Sequence, residues 1–258
     1  MSTSDPLQTP SSRDFPVEWY DSAPESHFWM TWRLNVILRH LDRLNIDGRA
    51  ALKGFDIGCG HGAFQRQLQS TNSWAIDGCD LNEKAISLNR GHNGNSFLYD
   101  IFDLRQDLES KYDIVFLLDV IEHVPKPVEF LSMARFYMKR DGYMVINVPA
   151  IPALYSKYDI AVGHIRRYTK DSLSSEISAA GLVIETIAYW GLSLVALLFL
   201  RKAAAVFTKP EAIITRGMVP PTVLIDKLLR LVMSAEFAVT KDLPYGASLF
   251  AVAREAPQ

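Results

Sequence analysis

The segment Phe55-Asp56-Ile57-Gly58-Cys59-Gly60-His61-Gly62 limits the folds open to this chain more than any other. A short apolar run with one acid breaks into glycine at three alternate positions. Ala63-Phe64-Gln65-Arg66-Gln67-Leu68 then continues as the first turns of a helix. A strand passing through a glycine turn into a helix N-terminus brings bare backbone amides up to a ligand, and the helix dipole there favours negative charge. The segment predicts a strand–turn–helix unit shaped for a nucleotide-like group.

Alternation of strand and helix patterns continues downstream. Strands are expected at Lys53–Cys59, Trp74–Asp80, Ser96–Ile101, Tyr112–Leu118 and Gly142–Val148, and helices at Ala63–Ser70, Glu83–Asn89 and Pro127–Lys139. Proline opens the last of these helices, where a missing amide costs little. Apolar strands separated by helices imply an α/β, doubly wound, mostly parallel sheet with both faces covered and ligands at the strand carboxyl ends. A helix is expected before this unit, at Glu25–Leu44. After it come a helix at Lys170–Ala180, a strand at Val183–Tyr189, apolar helices at Ser193–Phe207 and Val223–Thr240, and a strand at Leu249–Arg254. Residues 1–12, rich in Ser, Thr and Pro, are expected to be disordered. Residues 13–258 then form a single domain, with a helical cap at 13–50, an acceptor loop at 150–169 and an apolar helical insertion at 191–242.

The net charge of −2 carries no basic excess, so no nucleic-acid partner is expected. The two cysteines, Cys59 and Cys79, fall in expected buried strands, and the N-terminus has no signal-peptide pattern. Both features point to reduced core thiols in a cytoplasmic protein. No run reaches the roughly 20 apolar residues of a membrane span. Trp190 to Leu200 comes nearest before Arg201-Lys202 stops it. The stripe Leu224, Leu228, Leu231, Ala235 has core packing as its default meaning. Together with Trp190 to Leu200 it offers a lid over a hydrophobic acceptor, the favoured reading, or else a homodimer face or a peripheral membrane contact.

Taken alone, Gly58-x-Gly60-x-x-Ala63 with Asp80 also fits the dinucleotide fingerprint. Further features separate the cases: Gly62 in the same register, Asp56 before the turn, Asp100 ending the third strand, and Leu118-Asp119-Val120-Ile121-Glu122-His123 ending the fourth. No Tyr-x-x-x-Lys pair of the short-chain dehydrogenase kind occurs. Together these residues resemble the class I S-adenosylmethionine-dependent methyltransferases from about Phe55 to Val148, with four motifs in order. Pro244 to Phe250 looks like that fold's last, antiparallel hairpin strand.

The resemblance implies S-adenosylmethionine as cofactor and assigns roles by position. The backbone at Gly58, Gly60 and Gly62 would face its methionine and ribose parts. Asp80 would accept from both ribose hydroxyls. Leu81 would lie on the adenine face, with Asp100 and the Ile101 amide on its polar edge. Asp56 would face the methionine amine, and the Leu118 carbonyl would lie beside the sulfonium. Simple strand capping is the bland alternative for Asp80 and Asp100. A protein that binds the cofactor without turnover, for regulation or assembly, is the alternative of a different class.

Because this cofactor is already activated, a protein has mainly to align the acceptor, and a base is needed only for a hydroxyl or a protonated amine. His123 and His164 are the candidate bases. Asp119, Glu122 and His123 stand at i, i+3 and i+4, so one helical turn would present all three. Their order resembles the ubiquinone-type O-methyltransferases, some of which bind a divalent ion through an acid-x-x-Glu-His group. Asp119 shortens the reach of the first acid, so a divalent metal is an option here and not the expectation; bracing of the next loop is the bland reading.

His27 and Arg33 keep the spacing of that family's His-x-x-Asn-x-x-Arg element without its Asn. This makes Arg33 a candidate cofactor ligand, or else a solvent-facing residue. The loop Asp159 to Thr169 gathers His164, Arg166, Arg167 and Tyr168, a set able to hold an anionic or phenolic acceptor, unless the arginines pair with acids of the cap. The expected acceptor is a small hydrophobic or aromatic molecule, methylated at oxygen.

Overall fold

The computed structural model describes residues 27–46, 51–91, 93–205, 222–239 and 243–256. The expected disorder at 1–12 lies outside these residues, as do most of the cap before Phe28 and the middle of the apolar insertion. Seven strands form one sheet in the order β3-β2-β1-β4-β5-β7-β6. They are β1 (Lys53–Ile57), β2 (Ala75–Asp80), β3 (Ser96–Leu98), β4 (Tyr112–Leu118), β5 (Met138–Pro149), β6 (Leu182–Trp190) and β7 (Ser248–Glu255). β1 to β5 pair in parallel, while β7 runs antiparallel between β5 and β6. The chain order reverses at β1 and β4, which places a crevice at the carboxyl ends of those strands.

Side-chain alternation along β4 explains the two-layer core. Val115 and Leu117 face one side, against Phe130, Leu131, Leu173 and Ile177. Those residues belong to helices α4 (Pro127–Phe136) and α6 (Lys170–Ala179). Ile114, Phe116 and Leu118 face the other side, with Ile37, Leu41, Phe64 and Leu68. These come from α1 (Phe28–Arg43) and α2 (Ala63–Gln69), while α3 (Glu83–Leu88) follows β2.

Several expected boundaries move for physical reasons. The helix expected to reach Lys139 stops at Phe136, because Tyr137 is fully buried and its hydroxyl donates to the Ile101 carbonyl at 2.7 Å. β5 therefore starts at Met138, opposite Tyr112. The third strand ends at Leu98, since the Asp100 carboxylate caps a 3-10 turn, Ile101–Asp103, through the Phe102 amide at 3.0 Å. Cys59 lies past the end of β1 and not in it, although it is buried like Cys79, and both are free thiols.

The loop after β5 contains a short helix, α5 (Lys157–Ala161), started by a reciprocal Ser156/Asp159 cap. Finally, α7 (Leu192–Ala205) and α8 (Val223–Val239) stand beside the outer strands.

Candidate active site

The glycine turn holds Gly58, Gly60 and Gly62 at φ +78°, +54° and +81°. A Cβ at Gly62 would stand 2.0 Å from Asn89 Oδ1, and one at Gly58 would stand 2.7 Å from Val120 Cγ2. Neither position admits another residue without rearrangement. At the end of β2 the Asp80 carboxylate accepts from the Gly60 amide at 2.9 Å and the Asn82 amide at 2.8 Å. The carboxylate thus ties the turn to the neighbouring strand end, and its remaining lone pairs are available to a ligand. Burial raises its pKa, against the lowering effect of the amides of Asn82, Gly60 and Leu81. Leu81, next in sequence, is exposed. The bland reading of Asp80 and Asp100 as backbone caps is therefore present in both, without using all of either carboxylate.

Asp56 is buried at the end of β1. Burial pushes its carboxyl up to about 7; the Asp80 charge adds to the shift and the Arg33 guanidinium opposes it. Arg33 is buried rather than solvent-facing, which corrects the second of its two expected placements. Its Nη1 donates to Asp119 Oδ2 at 2.6 Å, while its buried Nε has no hydrogen-bond partner. Asp119 Oδ1 accepts from Asn147 Nδ2 at 2.7 Å, and Asn147 Oδ1 accepts from Trp190 Nε1 at 2.9 Å. One polar chain thus links α1, β4, β5 and β6 across the crevice.

The expected single helical turn for Asp119, Glu122 and His123 does not form. Asp119 adopts φ +59°, and Ile121–His123 follow as a 3-10 turn. The reversal at Asp119 sends its carboxylate to Arg33 and Asn147, away from the other two. His164 takes its place: the ligating atoms of Glu122, His123 and His164 lie within 4.8 Å of one another. Glu122 is wholly buried, and neither of its oxygens has a hydrogen-bond partner. Burial, with the Asp119 charge adding, raises its pKa well above the usual carboxylate range.

Each imidazole is oriented through Nδ1. His123 Nδ1 meets the Gly163 carbonyl at 3.0 Å, and His164 Nδ1 meets Asp159 Oδ1 at 3.0 Å. His164 Nε2 lies 3.7 Å from Glu122 Oε1. The rings pack edge to face with centroids 4.8 Å apart. Burial and the His164 charge push His123 down to about 4.

In the acceptor loop the arginines follow the second of their two expected readings, pairing with acids of the protein. Both of the loop's guanidiniums are spent in this way. Arg166 bonds the Pro125 carbonyl at 3.0 Å and pairs with Glu176 at 3.6 Å, while Arg167 bonds Asp159 at 2.7 Å and the Ala150 carbonyl at 3.1 Å. Tyr168 is buried beneath the loop. Their structural role leaves His164 as the loop's chemical group.

Asp159, fully buried, is a hub that motif reading passed over. It serves Ser156, His164 and Arg167 together, and burial is outweighed by His164 and Arg167, so its pKa is lowered. The spacing Ser156-x-x-Asp159 was its visible signal. Asn147 and Trp190 were missed as well; the signal for Asn147 was a lone amide in an otherwise apolar strand.

The comparisons with known proteins agree with this fold. The family model described as "Methyltransferase domain" matches residues 16–187. A ubiquinone biosynthesis O-methyltransferase of Nitrosomonas europaea is 25% identical over 150 residues, covering 55% of this chain and 62% of that one. The match therefore spans less than two thirds of that relative's length. Among solved structures, a SAM-dependent methyltransferase from Archaeoglobus fulgidus has a TM-score of 0.54 at 19% identity, covering 88% of this chain and 98% of that chain. Haemonchus contortus phosphoethanolamine N-methyltransferase 2, in complex with S-adenosyl-L-methionine, has a TM-score of 0.57 at 15% identity, covering 88% and 52%. These structural likenesses concern the fold. With its family model, sheet order and glycine turn in agreement, the chain belongs to the methyltransferase domain family, as a class I protein with S-adenosylmethionine as cofactor.

Proposed function

We propose that this chain transfers a methyl group from S-adenosylmethionine to an oxygen of a small hydrophobic or aromatic acceptor. The observation that carries the donor half is the Asp80 carboxylate, held by the Gly60 and Asn82 amides beside the glycine turn. In this reading Asp80 takes the ribose hydroxyls and Leu81 the adenine face. Asp100 and the Ile101 amide take its edge, and Asp56 the methionine amine. The unpartnered Nε of Arg33 turns to the carboxylate of the same group, and the Leu118 carbonyl sits by the sulfonium. The cofactor supplies an electrophilic methyl, so the protein's tasks are alignment and proton removal.

Methylation at oxygen is supported by the relatives named ubiquinone biosynthesis O-methyltransferase and by two imidazoles at the end of β4. Asp159 holds the His164 Nδ1 proton and so makes Nε2 the basic nitrogen. A proton arriving at the histidine pair is kept off His123, whose pKa lies at about 4. His164 is then the general base, and His123 orients it. Replacing His164 with Ala should lower kcat by roughly 10²- to 10⁴-fold and leave affinity for S-adenosylhomocysteine nearly unchanged. Turnover equal to wild type would remove His164 from the chemistry.

One observation favours a second reading of the same corner. A buried carboxylate with neither oxygen bonded, as at Glu122, is costly unless it is protonated or meets a cation. Glu122, His123 and His164 fit a borderline divalent ion, with both Nδ1 atoms already turned to outer acceptors. Such an ion would supply Lewis-acid activation of an acceptor hydroxyl in place of the free base. Elemental analysis of the purified protein before and after chelation separates the readings. A stoichiometric ion lost in Glu122→Gln supports the metal, and none supports the base.

A further inference from the structure

The insertion between β6 and β7 meets the acceptor loop through charge and not through its apolar stripe. Leu224, Leu228 and Leu231 of α8 are exposed, so the stripe does not pack in the core as such stripes do by default. The contact is made by α7, which packs on the 3-10 turn Pro152–Leu154 and on α5. Near its C-terminal end Lys202 Nζ donates to the Ala153 carbonyl at 2.6 Å. The Arg201 guanidinium lies over the Tyr158 ring, 3.8 Å from its centroid. A basic pair at the end of a helix usually reaches into water or back to its own last carbonyls. Here Arg201 buries its Nη2 without a hydrogen-bond partner, so the ring is what receives the charge. Adjacent helix residues point about 100° apart. Two of them can grip one segment only where it wraps the helix end, and residues 153–158 are gripped at both ends.

The gripped segment leads straight to the groups that fix His164. Ser156 starts α5 by a reciprocal cap with Asp159, and Asp159 Oδ1 meets His164 Nδ1 at 3.0 Å. The Asp159 carbonyl accepts from the His164 amide at 2.8 Å, and the Tyr155 hydroxyl donates to the His164 carbonyl at 2.8 Å. On either side of this segment the backbone is left-handed, with Ile151 at φ +59° and Gly163 at φ +82°. For a β-branched residue such as Ile151 that conformation is strained, and it persists only where surrounding contacts over-determine it. The grip from α7 is one such contact.

We propose that Arg201 and Lys202 are positioning residues for His164. By holding residues 153–158 they fix Asp159, which in turn fixes the tautomer of the His164 ring and its place beside Glu122 and His123. The insertion thereby sets the geometry of the corner at the end of β4. The inference rests on the reading of His164 as the working group of that corner, as base or as ligand. Its test reads the ring itself and not turnover.

Nitrogen NMR of the imidazoles in the full chain, with His164 assigned through His164→Gln, is recorded at about pH 8.5, above the ordinary histidine pKa. Hydrogen exchange of residues 153–164 is measured alongside. In wild type the His164 ring should show one tautomer, protonated at Nδ1. In Arg201→Ala/Lys202→Ala, residues 153–164 should exchange about tenfold or more faster, and the ring should divide between both tautomers. Tyr158→Ala removes the stacking from the loop side without touching α7, and it should move both readouts the same way by less. S-adenosylhomocysteine affinity should be unchanged in both variants. A wild type that fails to bind it sinks the donor reading and leaves the grip standing. Wild-type ring signals in both variants overturn the proposal even if exchange is faster, since the contact is then purely structural. A wild-type ring already divided between tautomers overturns it too. So does a double variant whose ring changes only with α7 itself unfolded, residues 192–205 exchanging freely, while Tyr158→Ala keeps the wild-type ring.

Discussion

At Asp56 the fold and the proposed ligand ask opposite things of one carboxyl. Its pKa, raised from 3.8 to about 7 mainly by burial, means that the fold favours the uncharged form. Its contribution to stability is therefore full below about pH 4 and is lost as pH rises through about 7. Holding an ammonium group asks for the charged form. If Asp56 faces the methionine amine, donor affinity should rise from about pH 6 to about pH 8, and Asp56→Asn should flatten that rise; calorimetric titration at several pH values measures both. A wild-type profile as flat as the variant's would take Asp56 out of the donor site. Some residues could be placed from the sequence and others could not. Asp80 was legible because it ends an apolar strand 20 residues after Gly60. The turn at Asp119 was not. Its φ of +59° is stabilised by Arg33 and Asn147, partners 86 and 28 residues away that no local pattern announces.

At the scale of elements, two joints carry the site. In the turn from β1 to α2, Gly62→Ala combines an unfavourable φ of +81° with a Cβ 2.0 Å from Asn89 Oδ1. The backbone part alone costs roughly 1–2 kcal/mol, and thermal denaturation should show a melting point lower by several degrees. An unchanged melting point would mean that the turn is not held as described. The other joint is the Arg33–Asp119 pair between α1 and the end of β4, with side chains 9% and 29% exposed. A double-mutant cycle on the two should give a coupling of about 1–3 kcal/mol. Coupling near zero would dissolve the latch. The strand and helix pattern that supports both joints was plain in the sequence, since period-2 and helical spacing are local signals. The boundaries that moved were set by distant contacts, as Tyr137 ended its helix by burying against Ile101. The acceptor loop stayed open between two readings for the same reason: whether Arg166 and Arg167 face a ligand or an internal acid is decided by Glu176 and Asp159.

Across the whole molecule, the sheet brings the glycine turn, Asp80, Asp56 and the β4 corner to one edge. The polar chain from Arg33 to Trp190 ties α1 to the ends of β4, β5 and β6 at that edge. The proposed donor half could be outlined from sequence because its candidate residues are glycines and carboxylates at strand ends, which local strand–turn–helix patterns mark out. The corner at the end of β4 could not be, because long-range contacts with the loop after β5 build it. Titration of the full chain with S-adenosylhomocysteine, in wild type and Asp80→Ala, is the most direct measurement of the central claim. Wild type should bind at one saturable site with a Kd below about 100 µM, and Asp80→Ala should bind at least about tenfold more weakly while keeping the wild-type fold by circular dichroism. A wild type without heat of binding at millimolar ligand, or a folded Asp80→Ala that binds equally well, would contradict it.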